Sequence, residues 1–136
     1  METMSTRGSG RASPVPAFHD GLLTGVMLRP HKQCVLLLSD VTGVAYQFIL
    51  DGVERLRAEN FMQGNIVLDL TVRDQDVDEE DLLFVLSIDS PVENKKWINS
   101  VLSRIQSGEL RLVQLALSYG CELAILCRGY KLELIT

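Results

Sequence analysis

The densest group of ionisable side chains in this sequence is the run Asp74-Gln75-Asp76-Val77-Asp78-Glu79-Glu80-Asp81. Carboxylates at alternate positions are how a calcium loop begins, and Asp74, Asp76 and Asp78 fall at ligand positions one, three and five of such a loop. The sixth position has to be glycine for the sharp turn and is Glu79, and the twelfth has to be a bidentate acid and is Val85. The match fails, and what remains is weak, nonspecific cation attraction. From Asp69 to Asp89 the chain carries eight acidic residues and one basic residue, Arg73. A surface made of Asp74, Asp76, Asp78, Glu79, Glu80 and Asp81 would steer a basic partner and speed its association. The competing reading is a solvated connection whose charge discourages edge pairing.

No catalytic set assembles around the other reactive side chains. His19 and Asp20 are adjacent, and on a strand adjacent residues point to opposite faces, so a dyad would need partners from elsewhere. Asp20 is better suited to bonding nearby amides in a turn, and His31, between Pro30 and Lys32, belongs to a loop. Cys34, Cys121 and Cys127 lie in apolar runs, where burial disfavours the thiolate. Cys121 and Cys127, six residues apart on one expected strand, are separated by roughly 20 Å, too far for a disulfide. There is no Gly-x-Ser-x-Gly elbow, no Cys-x-x-Cys pair and no glycine-rich phosphate loop. The expectation is a non-enzymatic protein with no catalytic residues, cofactor or metal.

Composition narrows the partners. The chain has 136 residues, of which 46% are hydrophobic and 23% charged, with a net charge of −5. That is enough for one domain with a real core. The negative balance argues against nucleic acid, which needs clustered Lys and Arg. No apolar run reaches the roughly 20 residues a membrane-spanning helix requires. Reduced thiols in apolar runs suit a cytoplasmic protein. Residues 1–17, rich in Ser, Gly, Pro and Arg, read as a disordered N-terminal tail, and 18–136 as a single α+β domain.

The elements that must position these side chains follow from periodicity. Strands are expected at Gly21–Leu28, Gln33–Ser39, Val44–Leu50, Ile66–Arg73 and Leu82–Ile88, with Asp40-Val41-Thr42-Gly43 as a hairpin connection. Val53 and Leu56 anchor a short irregular return between the third and fourth strands. Ile66, Leu68, Leu70 and Val72 alternate with Val67, Asp69, Thr71 and Arg73, which predicts one buried and one wet face. Ser90-Pro91-Val92-Glu93 has the form of a capping box with proline at the first helical position. It predicts a helix over Ser90–Gly108 with Trp97 as anchor of a stripe containing Ile98, Val101, Leu102 and Ile105. Strands at Leu110–Leu117, Cys121–Cys127 and Tyr130–Ile135 close the chain.

The fold class expected is α+β: a strongly curved, mainly antiparallel sheet of about seven to eight strands, with one amphipathic helix inserted after the fifth strand. A helix about 10 to 12 Å across covers only part of one face of so wide a sheet. The surplus apolar surface must curl on itself or meet a second copy. The uncharged Gly21–Leu28 strand is the edge expected to carry such a homodimer, with Thr24→Lys as its disruption.

Phe18-His19-Asp20-Gly21 followed by Leu22-Leu23-Thr24-Gly25-Val26, then Leu50-Asp51-Gly52-Val53 and Phe61-Met62-Gln63-Gly64-Asn65-Ile66, resembles the start of small bacterial immunity proteins of polymorphic toxin systems and related uncharacterised domains. Ser118-Tyr119-Gly120 ahead of an apolar strand is similar too. The likeness covers about half the chain, and none of its elements is a chemical motif. It implies a cytoplasmic protein that binds and masks a toxin, with no contact residues carried over. The sequence thus points to a protein-binding domain with a basic partner. The alternative, suggested by the doubly apolar strands Cys34–Leu38 and Cys121–Cys127, is a curved sheet enclosing a small apolar ligand.

Overall fold

A computed structural model describes residues 3–4, 13–14, 18–59, 65–118 and 122–135. Phe61 to Gly64, Tyr119, Gly120 and Cys121 lie outside the described residues. The elements in chain order are β1 (Thr3–Met4), β2 (Ser13–Pro14), β3 (Leu22–Arg29), β4 (Gln33–Ser39), β5 (Ala45–Asp51), β6 (Arg55–Glu59), β7 (Asn65–Arg73), α1 (Glu79–Leu86), α2 (Lys95–Gln106), β8 (Arg111–Leu117), β9 (Glu122–Cys127) and β10 (Gly129–Leu134). Within the segment expected to be a tail, β1 pairs with β10 and β2 with β7, while the rest of 1–17 lies outside the described residues.

All pairings are antiparallel, in the order β1-β10-β5-β4-β3-β7-β8-β9-β6, with β2 on β7 off this path. The fold is α+β with a mostly antiparallel sheet, but the described residues form two helices, not one. The sheet is not closed, since β1 and β6 stand at opposite ends of the order. It folds over on itself. Cys34 on β4 and Cys127 on β9 are four steps apart in that order, roughly 19 Å in a flat sheet, yet both are buried in one core. Phe18, Leu23, Leu36, Leu38, Phe48 and Leu50 from one half share a core with Val67, Leu70, Val72, Leu115, Leu123 and Ile125 from the other.

A second core lies between the helices and the outer face of β8 and β9. Leu82, Val85 and Leu86 of α1 and Ile98, Val101 and Ile105 of α2 pack there with Leu110, Leu112, Ala124 and Leu126. At about 1.5 to 3 kcal/mol for each large side chain, this stripe anchors both helices.

Five expectations are corrected. The run Leu82–Ile88, expected as a strand, is mostly the helix α1, because Asp78 and Asp81 form a true capping box in front of it. Conversely, Ser90 caps nothing. Pro91 to Asn94 form a turn, the Ser90 carbonyl accepts from Asn94 Nδ2 at 2.9 Å, and α2 begins only at Lys95. Gly108, at φ 85°, stops the helix as expected. Trp97 is not the anchor, because it is 41% exposed while Ile98, one position on, is fully buried. On β7 a bulge at Leu68 shifts the register between Val67 and Asp69, so Val67, Leu70 and Val72 face the core and Ile66 and Leu68 do not. Residues 55–59, within the expected irregular return, form the terminal strand β6.

β3 is also not the open edge that was expected. It is flanked by β4 along its length and by β7 at Leu22 and Leu23. Gly21 makes that seam: a Cβ there would sit 2.1 Å from the Ser39 carbonyl oxygen, and its own carbonyl accepts from the Val67 amide at 2.8 Å.

Candidate functional site

The outer face of β7–β8–β9 is only partly covered by the helices. Register sets its side chains in three rows: Arg73, Leu112, Leu126 and Arg55; then Thr71, Gln114, Ala124 and Arg57; then Asp69, Ala116, Glu122 and Glu59. The helices lie over the leucines of the first row. The other two rows stay partly open and form the floor of a cleft of about 240 Å³, walled by Phe84 and Asp81 of α1.

The bulge at Leu68 aims Asp69 into this cleft, since without the extra residue Asp69 would share the phase of the core positions. His19 holds the bulge in place, donating from Nδ1 to the Leu68 carbonyl at 2.7 Å. His19 Nε2 stands 3.8 Å from Asp20 Oδ2, with both side chains about two-thirds exposed. No third polar group completes a catalytic arrangement there among the described contacts, and the pair acts as a turn that fixes β7 against β3.

The acidic run divides into structural and surface groups. Asp74 is buried at 3% exposure. Asp78 caps α1, accepting from the Asp81 amide at 3.1 Å, and Asp81 Oδ2 accepts in return from the Asp78 amide at 2.9 Å. Arg73 meets Asp81 Oδ1 at 2.7 Å. Burial works to raise the Asp81 carboxyl, but the Asp78 amide and Arg73 outweigh it and hold it below the usual carboxylate value. Glu79 pairs with Lys95 at 2.9 Å. Asp76 and Glu80 remain exposed, and neither carboxylate has an ion pair among the described residues, although the Asp76 carbonyl accepts from Arg73.

Asp69 and Glu122 are the residues the sequence reading missed. Both are exposed, both line the cleft, and neither has an ion-pair partner among the described residues. Asp69 had a sequence signal, as a polar position on an alternating strand. Glu122 had none, because only the pairing Asp69↔Ala116↔Glu122 brings it opposite. Ala116 between them leaves room for an incoming side chain. Thr71 and Gln114 add hydrogen-bonding groups beside the carboxylates.

The rim toward β6 carries two arginines, of which Arg57 pairs with Glu59. Arg57 lies 4.4 Å over the Phe84 ring, and its Nη1 donates to the Phe84 carbonyl at 2.9 Å. Arg55 donates to the Leu86 carbonyl at 3.3 Å and lies 5.5 Å from the Trp97 ring. α1 has no basic residue in its own last turn, so these two arginines complement the negative end of its dipole from another strand.

Elsewhere the chemistry is quiet. Burial pushes the Cys34 and Cys127 thiols up to about 11 and about 12, which keeps them protonated and inert. No cluster of three or more metal-ligating side chains occurs among the described residues. No described helix is long and apolar enough to cross a membrane. Inside the folded sheet, where an apolar ligand would sit, Phe18, Leu23, Leu36, Leu38, Leu50 and Leu115 occupy the space, each 2% exposed or less. Comparison with protein-family models, curated proteins and solved structures found no match.

Proposed function

We propose that this chain is a non-catalytic, cytoplasmic protein-binding domain that masks a basic partner, as the immunity proteins it resembles mask a toxin. The docking surface is the acidic cleft, with Asp69 and Glu122 at its centre and Asp76 and Glu80 widening its field. One observation carries this reading: Asp69 and Glu122 face each other across Ala116 with no cation of their own among the described residues. Carboxylates left unmatched at a concave surface favour a lysine or arginine whose stem lies on Ala116 and Ala124. The original six-residue patch contracts accordingly, because Asp74, Asp78 and Asp81 serve the fold.

The test is an NMR titration with an arginine- and lysine-rich peptide, and with a glutamate-rich peptide as control. Amide shifts concentrated at Asp69, Gln114, Ala116 and Glu122, removed by Asp69→Lys/Glu122→Lys, support the reading. Shifts spread over every acidic segment, or none at all, overturn it.

A further inference from the structure

β6 ends the sheet. It pairs with β9 on one side, and no described strand pairs with its other side. The opposite end of the sheet is different, since β10 is capped there by β1. An unpaired strand edge presents backbone donors and acceptors that a further strand can satisfy.

We infer that a second copy of this chain docks on that edge, antiparallel, about a two-fold axis that runs beside β6 level with Ala58. The charge pattern of Arg55-Leu56-Arg57-Ala58-Glu59 is self-complementary only in that direction. An axis level with Arg57 would pair Arg55 with Glu59 of the second copy but set Arg57 against Arg57, a like-charge pair that excludes this register. With the axis at Ala58, each Arg57 stands opposite that Glu59. The Ala58 register gives two reciprocal opposite-charge pairs on the outer face, which join the Arg57–Glu59 pair already present within each chain, and cross-strand pairs of this kind stabilise a sheet. Parallel pairing in register would set arginine against arginine.

The other faces of β6 agree. Leu56 lies against the core inside the folded sheet, so the inner side of this edge is apolar. Outside, the half-exposed Trp97 stands beside Arg55. A tryptophan with an arginine over its ring is the composition that interfaces concentrate at their centre. The association goes beyond the proposed function. It would bring the two acidic clefts onto one continuous surface, because Glu59 and Glu122 are paired across β6 and β9 in each copy.

Sedimentation velocity of the full chain tests this, from about 1 to about 100 μM, the range in which interfaces of modest size assemble. The expected result is a concentration-dependent dimer that Glu59→Arg weakens about tenfold or more, with an unchanged circular dichroism spectrum. A monomer throughout, or a dimer that Glu59→Arg leaves intact, overturns the inference. If that variant does not fold, amide exchange of the unaltered chain decides. Protection of Arg55 to Glu59 that grows with concentration supports the edge, and exchange there that does not change sinks it.

Discussion

Two ends of this molecule handle charge in opposite ways. At one end Arg104, near the close of α2, donates to Glu54 Oε1 at 2.8 Å and to Glu109 at 2.5 Å, and Arg128 adds its charge 3.8 Å from both carboxylates. The link from β5 to β6, the end of α2 and the turn from β9 to β10 are thereby tied together. At the cleft, Asp69 and Glu122 have no such partners among the described residues. The Arg104 hydrogen bond, more than any other influence, draws the Glu54 carboxyl below its ordinary value, and Arg104 itself is raised by Glu54 and Glu109. Charges matched within the chain hold its parts in place. Charges left unmatched at a concave surface are free to select something from outside.

The comparison makes ordered predictions, and the largest concerns what supports the cleft wall. α1 is held by apolar burial, so Leu82→Ala should cost about 2 to 5 kcal/mol in denaturant unfolding. A loss below about 1 kcal/mol would mean that the charges around α1 carry it instead.

Arg104→Ala should cost about 1 to 2 kcal/mol, since it removes charged hydrogen bonds from partly exposed partners and leaves two carboxylates facing each other. Basic peptides should still bind the variant. Acid should act on the same end. A folded-state pKa held below the unfolded value contributes stability that is present above the unfolded value and is lost as pH falls through the folded one. For Glu54 that loss starts below about pH 5, and Arg104→Ala should flatten the acid limb of a stability-versus-pH curve. An unchanged acid limb would show that Glu54 is not coupled to Arg104.

Asp78→Ala should cost about 1 kcal/mol through the lost cap of α1, with thermal unfolding as the readout. Ser90→Ala should do less, because no side-chain bond of Ser90 begins α2. Equal losses would return the helix start to Ser90.

These corrections show what was legible in the chain and what was not. β4 was legible at Gln33–Ser39, as were the flanking hairpin strands within a residue or two, because β-branched and leucine-rich runs there end at clear turn residues. Leu82-Leu83-Phe84-Val85-Leu86 was ambiguous in principle, since an unbroken apolar run of five fits a buried strand or a short helix equally. The deciding signal stood just upstream. Asp78 and Asp81 form a capping box written with aspartate at the third helical position, where glutamate or glutamine is the usual sign. Trp97 misled because it adjoins the true stripe of Ile98, Val101 and Ile105 and differs from it by one position. β6 was invisible because an edge strand of alternating charge carries no apolar run. The cleft was half legible: Asp69 sat on a recognisable wet face, but the partner that makes it a site, Glu122, is set by strand register alone.

The smallest stability effect is the most discriminating. Asp69→Asn and Glu122→Gln remove charge from side chains that bond no other described residue, so unfolding free energy should move by about 0.5 kcal/mol or less. Its sign should be positive, because the chain carries a net charge of −5 and no described cation pairs with either carboxylate. Binding of a basic peptide should fall in the same variants, and fall less in high salt, where the attraction is already screened. Arg104→Ala gives the opposite pair of results, a loss of stability with binding retained. If the cleft variants instead unfold more easily, Asp69 and Glu122 are matched to groups within the chain. The two ends would then use charge in the same way, and the acidic cleft would lose its claim on a partner.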